Sequence, residues 1–236
     1  MRSVGERGAK PPWDAGTYDR VSDPQVAWAH AVLDRLALTG TETVLDAGCG
    51  SGRVTALLAD RAARVVAVDA DPAMVAHARA ALGDRATVLR ADLQELELDA
   101  PVDAVFSNAV FHWVPDHPRL FARLAGALRP GGRLSAQCGG RGNLARFRAV
   151  AGMPPVSPWT FATAEETEER LLAAGFAGAR CWLEPVGVRP EDPRAFLRTV
   201  CLRTYEDPEA TTECVLAQLG DDVELDYVRL NLEAVR

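Results

Sequence analysis

Short apolar runs alternate with amphipathic segments of helical length from Thr43 to Cys138. Five of these runs are apolar at consecutive positions, as expected of strands covered on both faces: TVLDAG, RVVAVDAD, ATVLRAD, VDAVFSNAV and RLSAQC. The segments between them have helical spacing, and in RVTALLADRAA the residues Val54, Leu57 and Leu58 share one face. The alternation predicts an α/β fold, in which helices cover both sides of a doubly wound, mostly parallel sheet.

The pattern changes after Cys138, where glycine and proline become frequent. A helix is expected around Glu165 to Ala174, two more follow between residues 191 and 219, and ELDYVRLNLEAV alternates like a final strand. We expect the late helices to form a small cap over or beside the carboxyl edge of the sheet. The chain then has four parts: an arm and helices at 1–40, an α/β core at 41–188, a helical cap at 189–222 inserted before the last strand, and that strand at 223–236.

Composition narrows the possible partners. The 236 residues carry a formal net charge of −7 without a basic cluster, so we expect no nucleic-acid partner. No apolar run approaches the roughly 18 residues of a membrane span, and the start lacks a secretory signal, so we expect a cytoplasmic protein without membrane contact. Five cysteines without a CxxC arrangement favour reduced thiols over disulfides or a metal site. A small-molecule ligand and a monomer or homodimer are expected.

Three alternating glycines interrupt the chain directly after the first strand, in VLDAGCGSGR. Gly48, Gly50 and Gly52 allow a sharp turn and a close approach of the backbone to a ligand. The spacing is GxGxG and not the GxGxxG of dinucleotide-binding loops, because Arg53 stands where the third glycine of that motif would be. Asp46, just before the glycines, opposes a pyrophosphate and favours a cationic ligand.

Two more carboxylates stand at the ends of the next strands. Asp69, followed by Ala70, ends the second strand and is placed to accept hydrogen bonds from two ribose hydroxyls. Asp92 follows the third strand and suits an exocyclic adenine amine, while Leu93 or Met74 packs on the ring. Ribose, adenine and a cationic tail together describe S-adenosylmethionine.

With these motifs the chain resembles the class I S-adenosylmethionine-dependent methyltransferases, through VLDAGCGSGR, VVAVDAD, RADL, VDAVFSNAVFHWV and LRPGGRL. Within them it is similar to the trans-aconitate methyltransferase-like branch, through NAVFHWVPDHPRLFARLAGALRPGG, the upstream WDAGTYD and the last strand. It departs from that branch at His112, where the branch usually carries glutamine. The resemblance implies a Rossmann-like seven-stranded sheet and a metal-independent transfer of a methyl group to a small molecule. It also implies which residues bind the methyl donor, S-adenosylmethionine.

The resemblance assigns most of that site to the donor. It implies that Asp46, Gly48 and Gly50 face the methionine, Asp69 and Ala70 the ribose, Asp92 and Leu93 the adenine, and Asn108 the sulfonium, while Trp13 and Tyr18 of the arm close over the donor. His112 is the candidate catalytic base if the acceptor is a phenol, an amine or a carbon acid. A carboxylate acceptor, such as that of an organic acid, is ionised at neutral pH and needs no base.

Other interpretations stay open at this point. His112 is alternatively a packed loop residue, and Asp92 a helix cap. The chain as a whole is alternatively an oxidoreductase that binds NAD(P), or an inactive S-adenosylmethionine-binding interaction protein. Four arginines, Arg141, Arg146, Arg198 and Arg203, flank the expected acceptor mouth and are candidates for holding an anion.

Overall fold

The computed structural model describes residue 16 and residues 23–152, 159–202, 205–220 and 223–236. Within them a seven-stranded sheet forms the centre of the fold. Its strands are β1 (Thr43–Ala47), β2 (Arg64–Asp69), β3 (Thr87–Arg90), β4 (Val102–Asn108), β5 (Leu128–Gly139), β6 (Gly178–Val188) and β7 (Leu225–Val235). The sheet order is β3-β2-β1-β4-β5-β7-β6, and only β7 and its neighbours pair in the antiparallel sense. The predicted doubly wound, mostly parallel sheet is confirmed.

The winding of the chain reverses between β1 and β4. The chain passes from β1 outward to β2 and β3, and then returns to the other side of β1 as β4. The carboxyl ends of β1 and β4 therefore face a crevice, which is the usual ligand position in such sheets. The loop that carries Gly48 follows β1, and Asn108 ends β4, so both lie at this crevice.

Eight helices flank the sheet in the part of the chain that the structure describes. They are α1 (Asp23–Arg35), α2 (Arg53–Ala59), α3 (Pro72–Leu82), α4 (His117–Ala127), α5 (Ala145–Ala151), α6 (Ala164–Ala173), α7 (Pro193–Phe196), which continues as a π-helical turn over Leu197–Cys201, and α8 (Pro208–Leu219). Of the helices described, none is both long and apolar enough to cross a bilayer.

Local signals in the sequence set where several helices begin. Asp71 caps α3 by accepting from the backbone N–H groups of Ala73 and Met74, and Pro72 fixes the first helical residue. The same aspartate-proline pair opens α7 and α8. Thr163 and Glu166 form a reciprocal capping box at the start of α6. These caps explain why the helix starts are predictable from the sequence.

The two faces of the sheet carry separate apolar layers. Helices α1, α2 and α3 cover one face, on which residues such as Val44, Ala67 and Phe106 are buried. Helices α4 and α6 cover the other, on which Leu45 and Val105 are buried. Because each central strand is buried on both faces, its residues are apolar at consecutive positions, as the sequence pattern indicated.

A further apolar cluster joins the cap to the sheet. It is formed by α5, α7, the π-helical turn, α8 and the start of β7, with Phe147, Phe196 and Val215 fully buried. Trp28 of α1 packs against the same cluster. The cap is thereby fixed over the β5–β7 half of the carboxyl edge.

The fifth strand begins earlier than the sequence indicated. RPGG reads as a turn before a strand that starts at Arg133, but β5 already begins at Leu128, because Leu128 pairs with Val102 of β4. A register irregularity between Val102 and Ala104 takes up the extra residues.

Candidate functional site

A cavity of about 560 Å³ opens at the carboxyl edge of the sheet. This volume lies within the usual range for small-molecule sites, about 300–1,000 Å³. Its lining comes from the β1, β2 and β3 ends, the loop after β4, the segment before α5, the π-helical turn and β7. A small second pocket, which contains Asp46 and Arg53, shares Gly48, Gly50 and Asn108 with the large cavity. The two pockets therefore meet at the switch point.

The polar residues along this edge change in charge from one side of the sheet to the other. Acids stand at or just after the ends of the first three strands in sheet order, amides on the next two strands and a cation on β7, while β6 beyond it carries the exposed Glu184 outside the cavity lining. In that order the residues are Asp92, Asp69, Asp46, Asn108, Gln137 and Arg229. The cavity lining thus offers hydrogen-bond acceptors and negative charge on the β3–β2 side and a positive charge on the β7 side.

The glycine loop needs its glycines for two different reasons. Gly48 has φ +90°, and a Cβ on it would lie 2.3 Å from Cγ2 of Val110. Gly50 has φ +54°, and a Cβ on it would meet nothing within 4 Å, because this residue borders the cavity. The backbone at Gly50 is therefore open to a ligand, as the sequence indicated.

Asp69 ties the glycine loop to the end of β2. Its Oδ2 accepts from the backbone N–H of Gly50 and its Oδ1 from that of Asp71, each at 2.9 Å. Burial raises the pKa of this carboxyl group, and the backbone hydrogen bonds lower it in part. Each oxygen keeps a second lone pair for a ligand hydroxyl. Asp69 lines the cavity together with Ala70.

Asp46 lies beneath the glycine loop and is 2% exposed. Its Oδ2 accepts from Oγ1 of Thr55 in α2 over 2.7 Å. Burial raises the pKa of Asp46 to about 7; the Thr55 hydrogen bond opposes this shift, and the charge of Asp69 adds to it. The protonated form is therefore favoured well beyond its share in an exposed carboxyl group, and a nearby cation favours the ionised form.

Asp92 and Leu93 lie at the end of the cavity formed by β3. Asp92 is exposed and accepts from the backbone N–H of Gln94 over 2.9 Å, so it caps the short turn that follows β3. Leu93 and Met74 are buried, and all three line the cavity. The arrangement combines a carboxylate with apolar side chains, which fits an amino-substituted aromatic ring.

Backbone strain is concentrated at the middle of the cavity. Asn108 lines both pockets, and the next residue, Ala109, has φ +62°. Leu144, which also lines the cavity, has φ +54°. Such conformations cost about 1–3 kcal/mol each outside glycine and concentrate at ligand sites. Nothing in the sequence indicates either residue as strained.

His112 is buried at the cavity and accepts a hydrogen bond at Nδ1 from the backbone N–H of Gly139, over 3.2 Å. Its ring lies beside Phe161, with 6.0 Å between centroids. His117, in contrast, lies away from the cavity lining, with Nε2 3.0 Å from the carbonyl of Phe111 and Nδ1 against Arg170. Burial lowers the pKa of His117.

Aromatic side chains form one wall of the cavity. Trp159 and Phe161 are nearly parallel, with an interplanar angle of 14° and 5.7 Å between centroids, and Trp113 packs beside Trp159. All three line the cavity. A wall of ring faces suits a flat ligand. Trp159 and Phe161 carried no recognisable sequence signal, because they follow a proline-rich stretch without hydrophobic periodicity.

Arg229 was missed by the sequence analysis. It is 2% exposed and lines the cavity from β7. A signal was present, because the alternation of β7 places Arg229 on the same face as Tyr227 and Asn231, which are buried. A charged residue at a buried strand position is rare unless it is paired or functional.

The arginines that the sequence indicated lie elsewhere. Arg141 pairs with Glu166 over 3.5 Å, and Arg198 with Glu209 over 2.9 Å. Arg146 is exposed, and none of these three lines the cavity. Arg203 lies outside the described residues, as do Trp13 and Tyr18 of the arm.

Comparison with known proteins agrees with this geometry. Residues 45–136 match the model of a methyltransferase domain family. The chain is 36% identical over 182 residues to a trans-aconitate 2-methyltransferase of Methylobacterium nodulans, and the aligned region covers 74% of this chain and 68% of the relative. It is 43% identical over 129 residues to the trans-aconitate 2-methyltransferase of Azoarcus sp. strain BH72, 54% of this chain and 51% of the relative.

A solved structure extends the similarity of fold. Phosphoethanolamine N-methyltransferase 2 of Haemonchus contortus, in complex with S-adenosyl-L-methionine, superposes with a TM-score of 0.64 at 21% identity, over 94% of this chain and 56% of that one. The doubly wound sheet, the glycine loop and the acids define a class I S-adenosylmethionine-dependent methyltransferase. Within that class the chain belongs to the family related to trans-aconitate 2-methyltransferase. It spans about half the length of the Azoarcus relative.

Proposed function

We propose that this protein transfers the methyl group of S-adenosylmethionine to a small organic acid. The observation that carries the proposal is the change of charge around the cavity, from the acids at the ends of β3, β2 and β1 to the buried Arg229 on β7. The donor is a cation with hydroxyl and amine groups, which acids bind. An organic acid is an anion, which an arginine binds.

The donor fits the acidic half of the edge. Asp69 would accept from the ribose hydroxyls, and Asp92 from the adenine amine, with Leu93 on the ring. Asp46 and the small pocket would take the methionine end, with Asn108 beside the sulfur. The open backbone at Gly50 allows the nucleoside to approach closely. Trp13 and Tyr18 remain predicted to close over it from the arm.

The reaction needs little from the protein beyond alignment. S-Adenosylmethionine supplies a methyl group on a positively charged sulfur, which is already activated. The cavity must hold the acceptor oxygen in line with that methyl group and exclude water. A carboxylate acceptor is ionised at neutral pH and needs no general base. The proposed role of His112 is therefore to orient the acceptor.

The acceptor class is supported by the relatives as well as by the cavity. Relatives named trans-aconitate 2-methyltransferase make trans-aconitate the first acid to test. The aromatic wall favours flat acids of this kind. All five cysteines are free thiols, which fits a reducing compartment, and we place the reaction in the cytoplasm.

A labelled-methyl assay tests this function. The protein is incubated with methyl-labelled S-adenosylmethionine and trans-aconitate, fumarate or cinnamate, and the products are treated with base. We expect label in an acid-derived methyl ester, which base hydrolyses to labelled methanol, with one S-adenosylhomocysteine formed per ester. Label found only in base-stable products of amines or carbon acids would exclude an acid acceptor. Binding of the donor without any transfer would exclude the enzyme.

A further inference from the structure

Arg229 is held in a fixed orientation at the cavity. It lies on β7 opposite Gly139, the last residue of β5. Its guanidinium lies over the indole ring of Trp28, with 4.3 Å between Cζ and the ring centroid. Its Nε donates to Oε1 of Gln137 over 3.2 Å. A guanidinium held against a ring face and by this hydrogen bond keeps its plane, which suits the binding of a carboxylate.

A relay of hydrogen bonds fixes Gln137 in turn. Nε2 of Gln137 donates to Oδ1 of Asn231 over 2.7 Å, which leaves Oε1 directed at Arg229. Nδ2 of Asn231 donates to Oε2 of Glu184 over 3.1 Å. An ionised carboxylate only accepts hydrogen bonds, so Glu184 sets the orientation of Asn231, and Asn231 sets that of Gln137. Each donor in the relay therefore has one consistent direction.

Strand pairing brings these four residues together. Gln137 on β5 lies directly opposite Asn231 on β7, and Arg229 on β7 lies opposite Glu184 on β6. Neighbouring strands are about 4.8 Å apart, so side chains on one face of adjacent strands are within hydrogen-bonding reach. The relay runs from the exposed Glu184 at the sheet edge to Arg229 at the cavity.

We propose that Arg229 is the residue that binds an anionic group of the acceptor, and that Gln137, Asn231 and Glu184 position it. The inference rests on the proposed function and names the anchor within that site. Arg229 determines specificity by binding acids in preference to their neutral analogues. Gln137 and Asn231 are positioning residues, because they act on the acceptor through Arg229.

Acid selectivity is the property to measure. The protein is saturated with S-adenosylhomocysteine, and binding of trans-aconitate, fumarate and cinnamate is titrated by calorimetry beside the corresponding carboxamides. In the wild type we expect at least one acid to bind at least about 30-fold more tightly than its amide, as a buried hydrogen-bonded charge pair allows. Arg229→Gln should abolish this preference. Gln137→Glu, which places a carboxylate against Arg229, should reduce it by about 10-fold.

Arg35→Gln is the matched control. Arg35 lies on the same side of the sheet, where its Nε is 3.4 Å from Oγ of Ser135 and 3.5 Å from Glu233, but it does not line the cavity. Its substitution should leave the acid preference unchanged. A structural role for Arg229 would weaken acids and amides equally, and would weaken S-adenosylhomocysteine as well, so selectivity separates the two roles. Gln137→Glu keeps the arginine and provides the test if Arg229→Gln does not fold.

Every outcome decides the proposal. Loss of acid preference in Arg229→Gln, with donor binding kept, supports it. An acid preference that persists in Arg229→Gln, or a wild type that binds acids no better than amides, overturns it. Failure of the wild type to bind S-adenosylhomocysteine would instead overturn the proposed function, and the same titration without the nucleoside would still decide whether Arg229 selects acids.

Discussion

The backbone N–H of Gly139 donates to Nδ1 of His112 over 3.2 Å. Since Nδ1 accepts this hydrogen bond, the neutral ring carries its proton on Nε2. In this tautomer Nε2 donates a hydrogen bond and does not take up a proton. The geometry therefore favours His112 as a hydrogen-bond donor that orients the methyl acceptor, rather than as the general base considered from the sequence.

Two substitutions at His112 distinguish these roles. We expect His112→Gln, which keeps a donor near the position of Nε2, to retain kcat within about 10-fold. His112→Leu should lose about 10- to 100-fold, the effect of one hydrogen bond to a charged group. Steady-state kinetics with an accepted acid provide the measurement. If both variants lost more than about 100-fold, a general base would be indicated instead.

Substitution of Gly50 should weaken donor binding far more than it weakens the fold. Gly50→Ala places a Cβ at the cavity, so we expect at least a 10-fold loss of affinity for S-adenosylhomocysteine. The left-handed conformation adds about 1–2 kcal/mol of strain. Gly83→Ala is the control for affinity, because Gly83 also has a positive φ, +53°, with open surroundings away from the cavity; its ψ of −128° lies outside the left-handed helical region, so only the affinities of the two variants are compared. Calorimetry should show a loss of affinity in Gly50→Ala and none in Gly83→Ala, and urea denaturation should show that both variants fold; equal affinities would contradict the close approach at Gly50.

Asp46 should make the free protein less stable as pH rises. Its folded pKa of about 7 lies above the ordinary value of 3.8, so the folded state holds the proton while the unfolded state ionises. The contribution of Asp46 to the free energy of unfolding is therefore lost between about pH 4 and pH 7 and does not change further above pH 7. Asp46→Asn cannot ionise, and its side chain still accepts the hydrogen bond from Thr55. Its free energy of unfolding should therefore exceed that of the wild type by an amount that grows across that range to roughly 2–4 kcal/mol.

Denaturation at pH 4.5 and pH 8 measures the Asp46 effect. The variant should also bind S-adenosylmethionine more weakly than the wild type does, because the carboxylate that favours the cation is gone. An Asp46→Asn protein that is less stable than the wild type by the same amount at both pH values would show that burial does not raise this pKa.

The aromatic wall should make the protein prefer flat acids. Cinnamate and 3-phenylpropanoate differ by one double bond and carry the same charge. We expect the wild type to bind cinnamate about 2- to 10-fold more tightly, as one ring contact contributes about 0.5–1.5 kcal/mol. Trp159→Leu should reduce the difference. Equal binding of the two acids by the wild type and by Trp159→Leu would show that the aromatic wall does not select flat acids.

The positions of the glycines and acids at one edge of the sheet were predictable because their signals are local. Gly48 and Gly50 follow one strand directly, and Asp69 and Asp92 end the next two, so strand prediction alone places them at one edge. The position of Arg229 depends on strand pairing between distant segments. Arg229 reaches the cavity only because β7 inserts between β5 and β6. Gln137 and Asn231 lie opposite each other because of the register between β5 and β7, and no short sequence motif indicates that register.

The most direct test of the account is a calorimetric titration of the wild type and Asp69→Ala with S-adenosylmethionine, S-adenosylhomocysteine and NADH. We predict that both nucleosides bind the wild type and that NADH does not. Asp69→Ala should lose at least about 30-fold in affinity for both nucleosides, because it removes the carboxylate that accepts hydrogen bonds from the ribose hydroxyls and from the backbone N–H of Gly50. Binding of NADH in place of the nucleosides, or equal affinity of Asp69→Ala, would contradict the assignment of the acidic edge to the methyl donor.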